Sequence, residues 1–128
     1  MNKINSNIMG LDIFFELHKI YSLKHFRKVN FLVGYFEELG LDVENQTPLS
    51  INKEDVEELI RRCEEVLKDH SVAEDLLPTT PGFFFGSLEY NEDYFKDVQD
   101  VLEYLKNNLL PKFDSLEPED SIYFSIWY

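Results

Sequence analysis

Residues 51–70 (INKEDVEELIRRCEEVLKDH) carry the pattern that most limits how this chain can fold. Their apolar side chains recur at three- and four-residue steps, which predicts an α-helix with one buried face. Asn52 is expected to cap this helix, and Glu54 and Asp55 complement its dipole in the first turn. The predicted apolar face consists of Val56, Leu59, Ile60, Cys63, Val66 and Leu67. Such a helix is stable only against a second layer, which the rest of the chain must supply.

Strand-like patterns lie near both ends of the chain. Residues 11–20 (LDIFFELHKI) alternate apolar and polar side chains, apart from Phe14, and predict a half-buried strand. Residues 122–128 (IYFSIWY) are β-branched and aromatic and predict a second strand. Two shorter strands are expected, an edge strand at 48–51 and a buried segment at 83–87, where three phenylalanines stand between Gly82 and Gly86.

A helix is also predicted at residues 23–39, with Ser22 as its N-cap and Gly40 at its end. Gly34 inside it indicates a close packing partner, because glycine weakens a helix interior. This helix would carry a basic face made of Lys24, Arg27 and Lys28. The basic face is expected to pair with acids of the same chain. The alternative is an anion or partner contact built from Arg27, Asn30 and a tyrosine.

A third long helix is predicted at residues 92–110, capped by Asn91 and stopped by Pro111. A linker at 71–82 and an acidic loop at 112–121 complete the order of elements. The elements predict an α+β fold, in which a small, mainly antiparallel sheet packs against about three helices in one two-layer domain. Residues 9–128 would form this domain, and residues 1–8 a flexible extension.

The net charge of −13 limits the class of partner. Residues 1–36 hold two acids and five bases, whereas the remaining 92 residues hold 23 acids and seven bases. Most of the surface should therefore repel nucleic acid, which makes direct nucleic-acid binding an unattractive hypothesis. No apolar run is long enough for a membrane helix, and the single cysteine excludes an internal disulfide. A cytoplasmic protein without membrane contact is expected.

No common catalytic or cofactor motif is present. The segment GFFFG is a poor phosphate loop, because its interior is bulky, no lysine follows before Lys96, and acids open the next helix. Ser87 lacks the G-x-S-x-G context of a strained nucleophile, and Cys63 lies on an apolar helix face. The three histidines, His18, His25 and His70, have no metal-ligand spacing. Neither a metal nor a cofactor is expected.

Three segments resemble a group of small uncharacterised proteins of phages and bacteria: 9–12 (MGLD), 25–30 (HFRKVN) and 76–95 (LLPTTPGFFFGSLEYNEDYF). Members of that group begin M-G-L-D, carry an aromatic-R-K-x-N segment, and contain L-P-T-x-x-G-F-F-F-G-S-x-x-Y-x-E-x-Y. The resemblance implies Met9 as the family-like start and brings no reaction with it. The chain departs from the pattern at Val33, where the group has a histidine, and at Asn91, where an acid is usual. The matching polar residues, taken as a candidate binding set, are Arg27, Lys28, Asn30, Ser87, Tyr90, Glu92 and Tyr94.

Two functions follow as hypotheses. The first is a non-enzymatic, acidic protein-interaction module, for instance a phage or mobile-element modulator of a host protein, with mimicry of DNA as a narrower form. The second is a small-ligand or enzymatic site between the first predicted helix and residues 87–94, which would use Arg27, Asn30, Tyr90 and Glu92. In the purely structural alternative, the same residues form a buried hydrogen-bond network that fixes the helix against that segment. A homodimer through an exposed edge of the C-terminal strand is a further hypothesis.

Overall fold

The computed structural model describes residues 10–17, 21–82 and 84–128. Its strands are β1 (Asp12–Leu17), β2 (Tyr21–Arg27), β3 (Leu49–Ile51) and β4 (Ile122–Trp127). Its helices are α1 (Phe31–Glu38), α2 (Lys53–Lys68), α3 (Ala73–Leu76), α4 (Glu92–Tyr104) and α5 (Leu110–Asp114). A 3-10 turn at His70–Val72 precedes α3, and a π-helical turn at Leu105–Leu109 joins α4 to α5. The predicted extension at 1–8 and the end of the first predicted strand, 18–20, lie outside the described residues.

The four strands form one antiparallel sheet in the order β2-β1-β4-β3, which confirms the predicted α+β class. Alternate side chains of the strands point into the core, and these include Ile13, Phe15, Phe26, Ile122 and Phe124. Phe36 of α1 packs on this face, with its ring centre 4.3 Å from that of Phe124 and 6.5 Å from that of Phe15. The core therefore lies between one face of the sheet and the helices.

Helix α2 has the predicted form. Asn52 accepts a hydrogen bond from the backbone N–H of Asp55, whose carboxylate accepts one from the N–H of Asn52. This reciprocal capping box satisfies two backbone donors at the start of the helix. Val56, Leu59, Cys63 and Val66 are buried, as the periodicity predicted.

The predicted helix at 23–39 is wrong in its first half, because residues 21–27 form strand β2 and the helix begins only at Phe31. Strand β2 pairs with β1, so that Arg27 lies opposite Asp12 and Phe26 opposite Ile13. Backbone pairing with a neighbouring strand thus overrides a helical spacing that was only partly strict. The end of the helix at Gly40 and the close packing at Gly34 are confirmed.

The GFFFG segment contains no strand among its described residues, so that prediction is also wrong. The N–H of Phe85 donates to the carbonyl of Gly82 at 3.1 Å, and Gly86 has a φ of +92°. These are features of a turn, in which glycine tolerates the left-handed backbone. Phe85 is buried beneath this turn, with its ring 5.2 Å from that of Tyr128. The predicted linker at 71–82 also contains structure, since α3 lies within it.

Pro111 does not stop the third long helix. The chain widens to the π-helical turn at Leu105–Leu109 and begins a new helical stretch at Leu110, which places Pro111 at its start. Proline is tolerated there because the N–H groups of a first turn need no intrahelical acceptor. The helical segment therefore reaches Asp114.

The C-terminal strand β4 is an interior strand. It pairs with β1 along one side and with β3 along the other, and the N–H of Gln46 donates to the carbonyl of Ile126. The short strand β3 lies at the edge, as predicted. The exposed edge of β4 that the homodimer hypothesis required is thus occupied by the chain itself.

Candidate functional site

A cavity of about 180 Å³ lies between the turn that follows β2 and the start of α4. This is the region in which the second hypothesis placed a site. The lining comprises Lys28, Val29, Asn30, Phe31, Thr79, Gly86, Ser87, Glu89, Asn91, Asp93, Tyr94 and Asp97. Four of the seven candidate residues, Lys28, Asn30, Ser87 and Tyr94, therefore meet at one cavity.

Lys28 forms one wall through an unusual backbone conformation. Its φ is +60°, in the left-handed region that few residues other than glycine adopt. Its N–H donates to the carbonyl of Leu11 at 2.7 Å, which ends the β1–β2 pairing and turns the chain toward α1. The stem of Lys28 passes so close to Gly86 that a Cβ on that glycine would lie 3.3 Å from the Lys28 Cβ. The turn at 28 and the turn at 86 are thus packed directly together.

Asn30 fixes the loop that carries the other wall. Its Nδ2 donates to the carbonyls of Phe85 and Ser87 at 3.0 and 3.1 Å, and its Oδ1 accepts from the N–H of Thr80 at 3.0 Å. The side chain is buried, so these bonds form away from water. Asn30 therefore positions the cavity wall and keeps no free polar atom for a ligand beyond the second lone pair of its oxygen.

The two tyrosines of the candidate set also bond to the chain itself. Tyr94 is buried and donates from its hydroxyl to the carbonyl of Leu77 at 2.7 Å, and burial raises the pKa of this phenol. The hydroxyl of Tyr90 accepts from the N–H of Thr79 at 3.0 Å. Tyr94 thus ties Leu77 to α4, and Tyr90 ties Thr79 to the loop that precedes α4. Of the four residues in the structural alternative, Asn30 and Tyr90 form such hydrogen bonds with the loop.

Arg27 and Glu92 do not line the cavity. Arg27 and Asp12 form a cross-strand pair on the sheet face opposite Phe26, and the Arg27 Nη1 lies 3.4 Å from the Asp12 Oδ1. The same oxygen is 2.7 Å from the Nε2 of His25, whose ring stacks on Phe14. Because a strand alternates its side chains, Arg27 cannot join Asn30 as it would on a helix. Glu92 is exposed in the first turn of α4.

Asp97 is one of the lining residues that the candidate set did not include. Burial, reinforced by the nearby carboxylates of Asp100 and Asp93, raises the pKa of Asp97 to about 6. A carboxyl group with a shifted pKa in a cavity is a feature of functional sites. One signal was available in the sequence: Asp93 and Asp97 are like charges four residues apart on a helix, an arrangement that costs stability.

The chemistry available in the described residues excludes several kinds of site. Cys63 is fully buried, and burial raises the pKa of its thiol to about 12, so it is a core residue. No group of three or more histidine, cysteine, aspartate or glutamate side chains within residues 10–17, 21–82 and 84–128 is arranged to hold a metal ion. The cavity offers an ammonium group, carboxylates, amides and a hydroxyl, which are groups that bind and orient a polar molecule.

No protein-family model matches this chain, and neither a curated protein nor a solved structure matches it. Within the described part of the chain, no helix has the length and apolar character needed to cross a membrane. The candidate site therefore rests on its own geometry.

Proposed function

We propose that the protein is a non-enzymatic interaction module whose acidic helical layer binds a basic surface of a partner protein. The observation that supports this most is a set of exposed carboxylates that form no ion pair with any described residue. On α2, α3 and α4 the set comprises Glu54, Glu57, Glu65, Glu74, Asp75, Glu92, Asp93 and Glu103. Such uncompensated charge attracts an oppositely charged surface and steers its approach.

Five of the seven basic side chains of the helical layer already form ion pairs, so few remain to compensate the unpaired acids. The pairs are Lys53–Asp114, Arg61–Glu58, Arg62–Glu38, Lys96–Asp100 and Lys106–Glu64. Residues 53–114, from the start of α2 to the end of α5, contain 16 acids and seven bases, so internal pairing cannot neutralise this layer. A partner with clustered lysine and arginine would supply the missing charge.

The proposal also covers the compartment of the interaction and the kind of partner protein. A cytoplasmic host protein that is modulated by a phage or mobile-element product fits an acidic module whose one cysteine is a free buried thiol. If the partner binds DNA, the carboxylates of the helical layer would compete with phosphates for its surface. That narrower form is tested together with the broader one.

The test compares two variants of equal net charge. One replaces unpaired acids of the helical layer (Glu57→Gln, Glu65→Gln, Glu92→Gln), and the control replaces exposed acids elsewhere (Glu44→Gln, Glu117→Gln, Glu119→Gln). Immobilised wild-type protein should retain a partner at low salt, which is then purified and mixed with each variant. The first variant should bind at least tenfold more weakly and the control should bind like wild type. Equal binding by both would contradict the proposal, and competition by DNA would support mimicry.

A second function, binding of a small ligand, is favoured by the cavity beside Lys28. A titration of the ¹⁵N-labelled protein with a library of small polar metabolites would test it, because the amides of Lys28, Gly86 and Ser87 report directly on the cavity. Chemical-shift changes at these amides would support the second function. Absence of such changes throughout the library would contradict it and leave the interaction module unaffected.

A further inference from the structure

The walls of the cavity beside Lys28 carry opposite charges that do not meet each other. Lys28 lies on the β2–α1 turn, whereas Asp93 and Asp97 lie on the first two turns of α4. None of these three side chains forms an ion pair with a described residue. Elsewhere in the helical layer, opposite charges that lie close together do pair, as Lys96 and Asp100 do at 3.0 Å. The gap between the two walls therefore separates charges that a bound molecule can bridge.

The position of each wall is set by packing rather than by the charges. The Lys28 stem lies against Gly86, and Asn30 holds the carbonyls of Phe85 and Ser87. Asn91 caps α4 through the N–H of Tyr94, and Tyr94 anchors that helix to Leu77. Because these contacts involve neither Lys28 Nζ nor the carboxylates, the charged groups are free to contact a ligand. Binding would cost little rearrangement, which is the advantage of a preorganised site.

The size of the cavity limits the occupant. Its volume of about 180 Å³ is below the ~300–1,000 Å³ that is typical of pockets for drug-sized ligands. A compact molecule with both charges therefore fits the size and the chemistry of the cavity. We propose that the cavity binds a small zwitterion of the α-amino acid class, with its ammonium group at Asp93 and Asp97 and its carboxylate at Lys28. This proposal rests on the second function above, the binding of a small ligand.

The other polar residues of the lining are Asn30, Thr79, Ser87, Glu89 and Asn91. Ser87 Oγ accepts a hydrogen bond from the N–H of Glu89 at 3.0 Å and retains its own proton for donation. A bound carboxylate would accept that proton in a hydrogen bond. A molecule with a single charge would leave one wall without its counter-charge, and it should therefore bind more weakly.

The experiment measures the affinity of the labelled protein for glycine, for ethylamine and for acetate, from the shifts of the Lys28, Gly86 and Ser87 amides. Ethylamine presents only the ammonium group, and acetate presents only the carboxylate. Glycine should bind at least tenfold more tightly than either of them. Equal or tighter binding of a single-charge probe, or no shift with glycine, would overturn the proposal.

Charge-neutralising variants localise the binding. Asp97→Asn and Lys28→Gln should each lower the affinity for glycine at least tenfold. The matched controls are Glu103→Gln, on the same helix, and Lys24→Gln, on the preceding strand, neither of which lines the cavity. The controls should bind glycine like wild type, and equal losses in controls and test variants would overturn the proposal. If other metabolites shift the cavity amides and glycine does not, only the zwitterion inference fails. If no metabolite shifts them, small-ligand binding fails with it.

Discussion

The amide oxygen of Asn30 accepts a hydrogen bond from the backbone N–H of Thr80, 50 positions further along the chain, at 3.0 Å. The same side chain donates to the carbonyls of Phe85 and Ser87. One asparagine thus satisfies three backbone groups of a segment with no regular structure. This makes Asn30 the principal tie between the loop at 78–90 and the rest of the fold.

Asn30→Ala should lower the free energy of unfolding by about 2–4 kcal/mol, because it leaves buried backbone groups without partners. Asn30→Asp should be at least as damaging, since a carboxylate would face two carbonyl oxygens. Urea denaturation measures both effects. Asn108→Ala, at an exposed position, is the control and should change stability by less than about 0.5 kcal/mol. A loss of similar size in the control and in Asn30→Ala would contradict this account.

Gly34 and Thr80 form a pair in which the effect of one substitution should depend on the other residue. A Cβ at Gly34 would lie 2.7 Å from the Oγ1 of Thr80, which also accepts a hydrogen bond from the Gly34 N–H. Gly34→Ala should therefore destabilise the wild-type protein. In a Thr80→Ala background the oxygen is gone, and the same change should stabilise by up to about 1 kcal/mol through helix propensity. Additive effects in this double-mutant cycle would show that the two residues do not clash.

Cys63 should be protected from thiol reagents in the folded protein. Its side chain is fully buried in α2, and burial raises the pKa of the thiol to about 12. Only the thiolate is nucleophilic, so modification should be at least ~100-fold slower in the native protein than in urea-unfolded protein. A spectrophotometric thiol assay at mildly alkaline pH measures both rates. Rapid labelling of the native state would indicate that α2 opens frequently.

Asp97 should make stability depend on pH in a defined window. Its pKa is raised from an ordinary value of 3.8 to about 6. Between these values the folded state binds more protons than the unfolded state, so stability falls as the pH rises, and the loss persists above pH 6. Asp97→Asn should therefore raise the melting temperature above pH 6 and leave it unchanged below pH 3.8.

The size of the Asp97 effect is limited because the side chain is only half-buried, and solvent screens its interactions. We expect a gain of less than about 1 kcal/mol. Asp75→Asn, at an exposed position in α3, is the matched control and should have no pH-dependent effect. A stabilisation by Asp97→Asn that is equal at both ends of the pH range would contradict the assigned pKa.

The sequence was sufficient where one local pattern determined the structure. The stripe and cap of α2 predicted that helix, and the β-branched run at the C-terminus predicted β4. It was insufficient at residues 21–27, because the spacing of Leu23 and Phe26 suits a helix until β1 is present as a pairing partner. That one error also misplaced Arg27, because its side chain points in a different direction from a strand than it would from a helix. The GFFFG turn and the π-helical turn before Pro111 depend on tertiary packing, which no local pattern encodes.

The candidate site was predictable in its position and only partly in its members. The candidate residues taken from the sequence motifs include Lys28, Asn30, Ser87 and Tyr94, and all four line one cavity. Asp97 was not predicted, because its neighbours in the sequence do not distinguish it from the other acids among the 25 in the chain. Its significance arises from half-burial beside Asp93, which requires the packed helix.

The interior position of β4 has a consequence for synthesis on the ribosome. The hairpin of β1 and β2 consists of neighbouring segments and can pair early, but β3 has no strand to pair with until residues 122–124 are translated. Until then, the apolar faces of α1 and α2 lack much of the sheet surface that covers them in the finished fold. A nascent chain arrested before Ile122 should therefore remain sensitive to protease, and release of the last strand should give protection in one step.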